Sequence, residues 1–248
     1  LEYTRAMLET PFRQELEESG QIIPLVFRSF EVELKAMSPE IVQDMIEENR
    51  LISQYSQLMA GMEFPFRGEN LPRPMLMKYA KSPDRATRKE AYEVLGKTLK
   101  AHSDQLDGIF DQLVHVRDRM AKKMGYQNFV ELGYYRMGRL CYGPEEVKQF
   151  RENVRRDVVP VVARLRKEIG KKLGVDTLML YDYDLIFPQG DPAPKGGKEA
   201  IFAAAKRMYH DMSRETGEFI DFMLATEAFD VDARTNKWGG GYCTSFMA

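Results

Sequence analysis

Residues 82–125 read SPDRATRKEAYEVLGKTLKAHSDQLDGIFDQLVHVRDRMAKKMG, and the spacing of their apolar side chains decides the fold class. Tyr92, Leu95, Leu99, His102, Leu106, Ile109, Leu113, Val116 and Met120 follow one another at intervals of three and four. That spacing keeps one stripe of a helix turned toward a partner. Ser82-Pro83-Asp84 supplies the start: a capping side chain, a proline where a missing N–H costs nothing, and an acid at the positive end of the helix dipole. Gly125 supplies the stop, and either Gly96 or Ser103-Asp104 divides the stretch into two helices.

Working toward the amino end, Ser38-Pro39-Glu40 repeats the start chemistry, and Ile41, Met45, Ile52, Tyr55 and Met59 continue it as far as Gly61. Residues 61–74, with FPFRGENLPRP, read as a connection. Toward the carboxyl end, Asn128 to Met137 predicts a short helix. Pro144 to Lys172 predicts a long one, with Val147, Phe150, Val154, Val158, Val161, Leu165 and Ile169 as its apolar positions. Pro160 should kink that helix, because it removes a donor and crowds the preceding turn. Leu178 to Phe187, LMLYDYDLIF, alternates aromatic and acidic residues and predicts a strand. Pro188 to Gly197 is a loop by composition, Lys198 to Met212 and Arg214 to Thr226 predict helices, and Phe229 to Phe246 predicts a hairpin or edge strands. The class expected is mainly α: an elongated multi-helix body with a small β-sheet portion near the C-terminal end.

The composition is that of an ordinary globular chain. Its 248 residues carry 36 basic and 38 acidic side chains, 44% hydrophobic residues and a net charge of −2. Near-neutrality gives no electrostatic reason to expect nucleic acid or an anionic membrane as a partner. No apolar run is long enough to span a bilayer, and the amino end lacks the pattern of a signal peptide. Two cysteines, Cys141 and Cys243, suit a reducing compartment better than a secreted scaffold, so a cytoplasmic location is expected. The chain begins at Leu1 and stops within an aromatic run at Ser245-Phe246-Met247-Ala248, and both ends read as cut.

The chemistry-bearing residues are sparse. His102, His115 and His210 are the only histidines; none opens an HExxH, and Leu99, Gln112 and Arg207 stand three residues before them. His102 reads as a core histidine of the seam. Asp111 and His115, one turn apart, read as a solvated helix pair rather than shared metal ligands. Cys141 reads as a buried structural thiol. Asp182 and Asp184, like Asp230 and Asp232, would share one face of an extended strand. They lack the further oxygen ligands of a calcium loop and read as exposed. The least ordinary stretch is Lys237-Trp238-Gly239-Gly240-Gly241-Tyr242-Cys243-Thr244. Three successive glycines weaken a strand but let another backbone come close. A peptide-accepting edge and a flexible turn are both open readings.

Several stretches resemble one family. FDVDAR at 229–234 followed by KWGGGYCTSF is similar to the segment just upstream of the zinc motif in oligoendopeptidase F and its thimet-oligopeptidase relatives. MGYQNFVELGYYRM at 124–137, ETGEFIDFM at 215–223 and DRATRKEA at 84–91 resemble other parts of the same enzymes, in the same order. The resemblance implies a helical amino-terminal domain over 1–81 and the amino-terminal portion of the catalytic domain over 82–248. It also implies a zinc-dependent endopeptidase acting on short peptides, with the HExxH helix and the other metal ligands beyond residue 248. Gly240, Gly241, Tyr242, Cys243 and Thr244 would then form a substrate-binding edge. No catalytic or metal-ligating residue is assigned within the chain. The competing expectation is a non-catalytic helical binding or scaffold protein.

Overall fold

The computed structural model describes residues 1–244, which form two compact units. One comprises residues 1–59 and 100–165, the other 60–99 and 166 onward. The helices are α1 (Glu2–Leu8), α2 (Arg13–Glu18), α3 (Pro24–Ala36), α4 (Val42–Gly61), α5 (Arg73–Tyr79), α6 (Arg85–Ala101), α7 (Ser103–Lys123), α8 (Phe129–Arg136), α9 (Pro144–Asn153), α10 (Val159–Leu173), α11 (Lys198–Met212) and α12 (Arg214–Ala225). Strands β1 (Glu63–Phe66) and β2 (Glu69–Pro72) lie between α4 and α5. The mainly α class holds, and no helix among the described residues is long and apolar enough to cross a membrane.

In the first unit, Ser38 caps the start of the α4 region by accepting the Glu40 N–H at 3.3 Å. The core gathers Ile41, Met120, Ala121 and Leu132, with Met45, Met124, Tyr126 and Phe129 packed against them. Ile41, in the 3₁₀ turn that leads into α4, is buried together with Asp44, Glu48 and Leu51 of α4, whereas Ile52 and Tyr55 are exposed. The expected apolar face of α4 is therefore corrected: Met45 packs beside the core as expected, but Asp44, Glu48 and Leu51 take the buried positions expected of Ile52 and Tyr55. Two carboxylates are buried because cations from α7 and α8 meet them. Arg119 Nε and Lys123 Nζ reach Asp44 at 2.7 and 2.6 Å, and Arg117 and Arg136 each reach Glu48 at 2.7 Å. For both acids burial pushes the pKa up, but the donated hydrogen bonds outweigh it and hold the groups below the usual carboxylate range.

The seam that begins at Tyr92 does divide, and the break falls at His102, the residue before α7. His102 is half-buried at that break rather than inside a helix interface, which corrects its reading as a core seam residue. At Pro160, where a kink was expected, the helix changes its hydrogen-bond pattern. The turn before it, Val154–Val158, is a π-turn, and Val159 N–H bonds Val154 O across the wider loop. The interruption lets the chain accommodate the lost proline donor.

In the second unit the small sheet stands at residues 63–72, not near the C-terminal end. Phe64 and Phe66 alternate inward with Leu71, while Glu63 and Pro65 face out. A two-residue turn, Arg67-Gly68, closes the hairpin with positive φ at both positions. Arginine tolerates that conformation here because its side chain is held. It donates to Thr87 Oγ1 at 2.8 Å and to Glu90 at 2.9 Å, and it lies over the Phe66 ring. The stretch expected as a strand, 178–187, instead contains a short 3₁₀ turn at Leu180–Asp182. Three residues along one stripe of α6 pin it. Arg85 grips Asp182 with two bonds of 3.1 and 2.8 Å, Arg88 adds a third at 2.7 Å, and Tyr92 donates to Asp184. Asp182, expected at an exposed face, is fully buried. The α11–α12 pair matches expectation, with Ser213 ending one helix and capping the next through the Thr216 N–H.

Candidate functional site

The glycine-rich segment follows a loop whose backbone is tied at many points. Asp230 accepts two bonds from Arg234, at 2.7 and 2.8 Å, and one from Lys237 at 3.0 Å. The same Lys237 ammonium donates to the carbonyls of Asp230 and Asp232, each at 2.8 Å. Lys198 holds the Asp232 carboxylate at 2.7 Å. These hydrogen bonds, from Arg234 first and Lys237 second, press the Asp230 carboxyl far below its ordinary pKa. Asp230 and Asp232 are thus ion-paired loop residues, not partners on a strand face.

Asn236 turns the chain, with φ of 61°, and its N–H donates to Ala60 O at 3.1 Å. Gly239 follows closely against Pro74: a methyl group on it would press on the Pro74 ring at 3.2 Å. Beyond that point the surroundings change. Among the described residues a methyl group on Gly241 would meet no atom within 4 Å, and Tyr242 is 83% exposed. Gly240, Gly241, Tyr242, Cys243 and Thr244 form one continuous exposed segment with no strand partner among the described residues. The hairpin expected over 229–246 is absent from 229–244, and its last two residues lie outside the described ones. The exposure of the segment agrees with its glycines, but no strand forms there among the described residues. The clamp before it was not legible, although the Asp230, Arg234 and Lys237 spacing was its signal.

The remaining candidates do not converge. His115 and Asp111 stay on the surface, with 3.5 Å between ring and carboxylate. His210 Nε2 lies 3.1 Å from Asp221 Oδ2, and its ring seats on Gly217, where a methyl group would come within 2.6 Å of Nδ1. That contact explains a glycine inside α12: the two helices pack through an imidazole. Cys141 is exposed, correcting its reading as a buried thiol, and Cys243 is exposed also. Among the described residues no three His, Cys, Asp or Glu side chains gather to hold a metal.

Comparison with known proteins gives the relationship. The model of peptidase family M3 matches residues 78–188, the span that contains α6 to α10 and the Asp182 hub. No curated protein matches the chain. A solved structure of an oligoendopeptidase F superposes with a TM-score of 0.90 at 41% identity, covering 98% of this chain and 42% of that one. PZ peptidase A, solved with an inhibitor, gives a TM-score of 0.90 at 42% identity, covering 98% and 43%. An oligoendopeptidase F from Bacillus anthracis str. Ames gives 0.89 at 41%, covering 98% and 44%. The chain spans less than half the length of each of these structures. Over residues 78–188 the chain matches peptidase family M3, and along nearly its whole length it shares the fold of the oligoendopeptidase F and PZ peptidase A structures at 41–42% identity.

Proposed function

We infer that this chain is the part of a zinc-dependent oligoendopeptidase that walls the substrate channel and binds the backbone of short peptides. The observation that carries the reading is its likeness, over 98% of its length, to peptidase structures of more than twice its size, one of them holding an inhibitor. The metal and its ligands are assigned to sequence outside residues 1–244, and a cytoplasmic site of action fits the two exposed, unpaired thiols.

Within this chain the binding role falls to Gly240, Gly241, Tyr242, Cys243 and Thr244. An exposed backbone whose glycines carry no side chains can pair its N–H and C=O groups with an extended peptide, as in strand addition. Such pairing reads main chain rather than side chain, so it suits substrates of varied sequence. It also orients the scissile bond, which is a proximity contribution to rate.

The test is Gly241→Val in the full-length peptidase. The open space around Gly241 means that folding should be unaffected. A branched side chain would still obstruct an approaching peptide, so kcat/KM should fall by about a hundredfold. Kinetics alongside thermal melts check it. Unchanged kcat/KM would leave the segment a turn with no role in binding.

A further inference from the structure

We propose that Asp230, Arg234 and Lys237 are positioning residues that hold the glycine-rich segment ready for a peptide. This inference rests on the reading of residues 240–244 as a peptide-binding edge, and deepens it.

The argument starts from a contrast within one short stretch. From Asp230 to Gly239 the chain is fixed by a bidentate arginine–carboxylate pair, by one ammonium bridging two carbonyls and that carboxylate, by the Asn236 bond to Ala60, and by the seat on Pro74. From Gly240 onward the side chains supply almost nothing. Three glycines have the largest conformational freedom of any residues, and an edge that samples many conformations binds weakly. Its apparent dissociation constant is the intrinsic one divided by the fraction of time spent in the binding-competent form. Fixing one end of the glycine run narrows that ensemble before any peptide arrives, the general benefit of preorganisation.

The individual contacts suit this task better than they suit stabilising the fold. Isolated surface ion pairs contribute little, and Asp230 and Arg234 are both more than half exposed. Lys237 is the exception at 22% exposure, and it alone bonds two backbone carbonyls. It sets the path of the chain directly, while Asp230 holds both Lys237 and Arg234 in place. Removing the clamp therefore leaves the unit folded but frees the direction in which the glycines leave it.

The experiment compares Asp230→Ala, Lys237→Met and Lys237→Arg in the full-length peptidase, with Gly241→Val in parallel. Loosening the clamp lowers the competent fraction without altering the bound geometry. Asp230→Ala and Lys237→Met should then raise KM about tenfold at nearly constant kcat, with melting temperature unchanged. Lys237→Arg, which keeps a cation among the same acceptors, should recover most of the lost affinity. A fall in kcat at constant KM, or a KM unchanged in both clamp variants while Gly241→Val is impaired, would overturn the clamp and leave the edge standing. If Gly241→Val is as active as the wild type, the edge reading fails and takes the clamp with it.

Discussion

Asp182→Ala is expected to lower the unfolding free energy by about 3–5 kcal/mol, the range for removing one partner of a buried ion pair. Asp182 is fully buried and accepts from Arg85, Arg88 and the Met179 N–H. Arg88 is itself 98% buried, and its other hydrogen bonds go to the carbonyls of Ser82, Pro83 and Tyr181. Without the carboxylate, a buried guanidinium would face neutral acceptors alone. Burial by itself raises the Asp182 pKa, but the bonds from Arg85, Met179 and Arg88 outweigh that and bring it down to about 2. A carboxylate depressed on folding contributes stability that is fully present above its unfolded pKa of about 3.9. That stability is lost as the pH falls through the folded value. Denaturant melts of wild type and variant should thus differ most near neutral pH and converge toward pH 2. A difference below about 1 kcal/mol at pH 7 would show that the hub is dispensable.

Glu48→Leu should cost about 3 kcal/mol, and adding Arg136→Met should restore much of it. The two arginines on Glu48 are not equivalent. Arg117 is 36% exposed and can turn to water, whereas Arg136 is 24% exposed and its Nη1 is buried without an acceptor. Removing Glu48 strands Arg136, and an apolar replacement of both ends that loss. Both arginines lie over the Phe129 ring, so a methionine in place of Arg136 keeps an apolar contact. Simple additivity of the two substitutions, measured by a double-mutant cycle, would mean that Arg136 does not carry the coupling.

These two hubs also mark where sequence reading stops. The helix start at Ser38, the break at one of the two places expected and the α11–α12 pair were legible, because each is set by local chemistry. By contrast, Asp84 rather than Ser82 accepts the Thr87 N–H at the start of α6, and a π-turn stands before Pro160 where a kink was expected. The carboxylate stripe of α4 was not legible, since periodicity ranks Asp44 and Glu48 as polar and assigns them to solvent. Only the arrival of Arg117, Arg119, Lys123 and Arg136 from residues far along the chain reverses that assignment. The 178–187 stretch failed for the same reason: alternation suggested a strand, but Arg85, Arg88 and Tyr92 draw its acids inward. The hairpin at 63–72 was masked by its prolines, which lower strand expectation, although an aromatic alternation around Arg67-Gly68 was present. At the candidate site the glycines announced an open backbone, while the clamp depended on a loop geometry that spacing alone does not give.

We propose that this chain supplies peptide-binding surface and that the zinc ligands lie outside residues 1–244. A tight zinc site needs about three protein ligands on a rigid frame with supporting hydrogen bonds. His102 lies at the break before α7, His115 on the surface beside Asp111, and His210 against Asp221 and Gly217. The most direct test is the zinc content of the 248-residue chain after dialysis, read together with cleavage of a quenched fluorescent peptide with and without added zinc. The chain should retain no stoichiometric zinc and show no chelator-sensitive cleavage. One equivalent of retained zinc, with cleavage that a chelator abolishes, would contradict it.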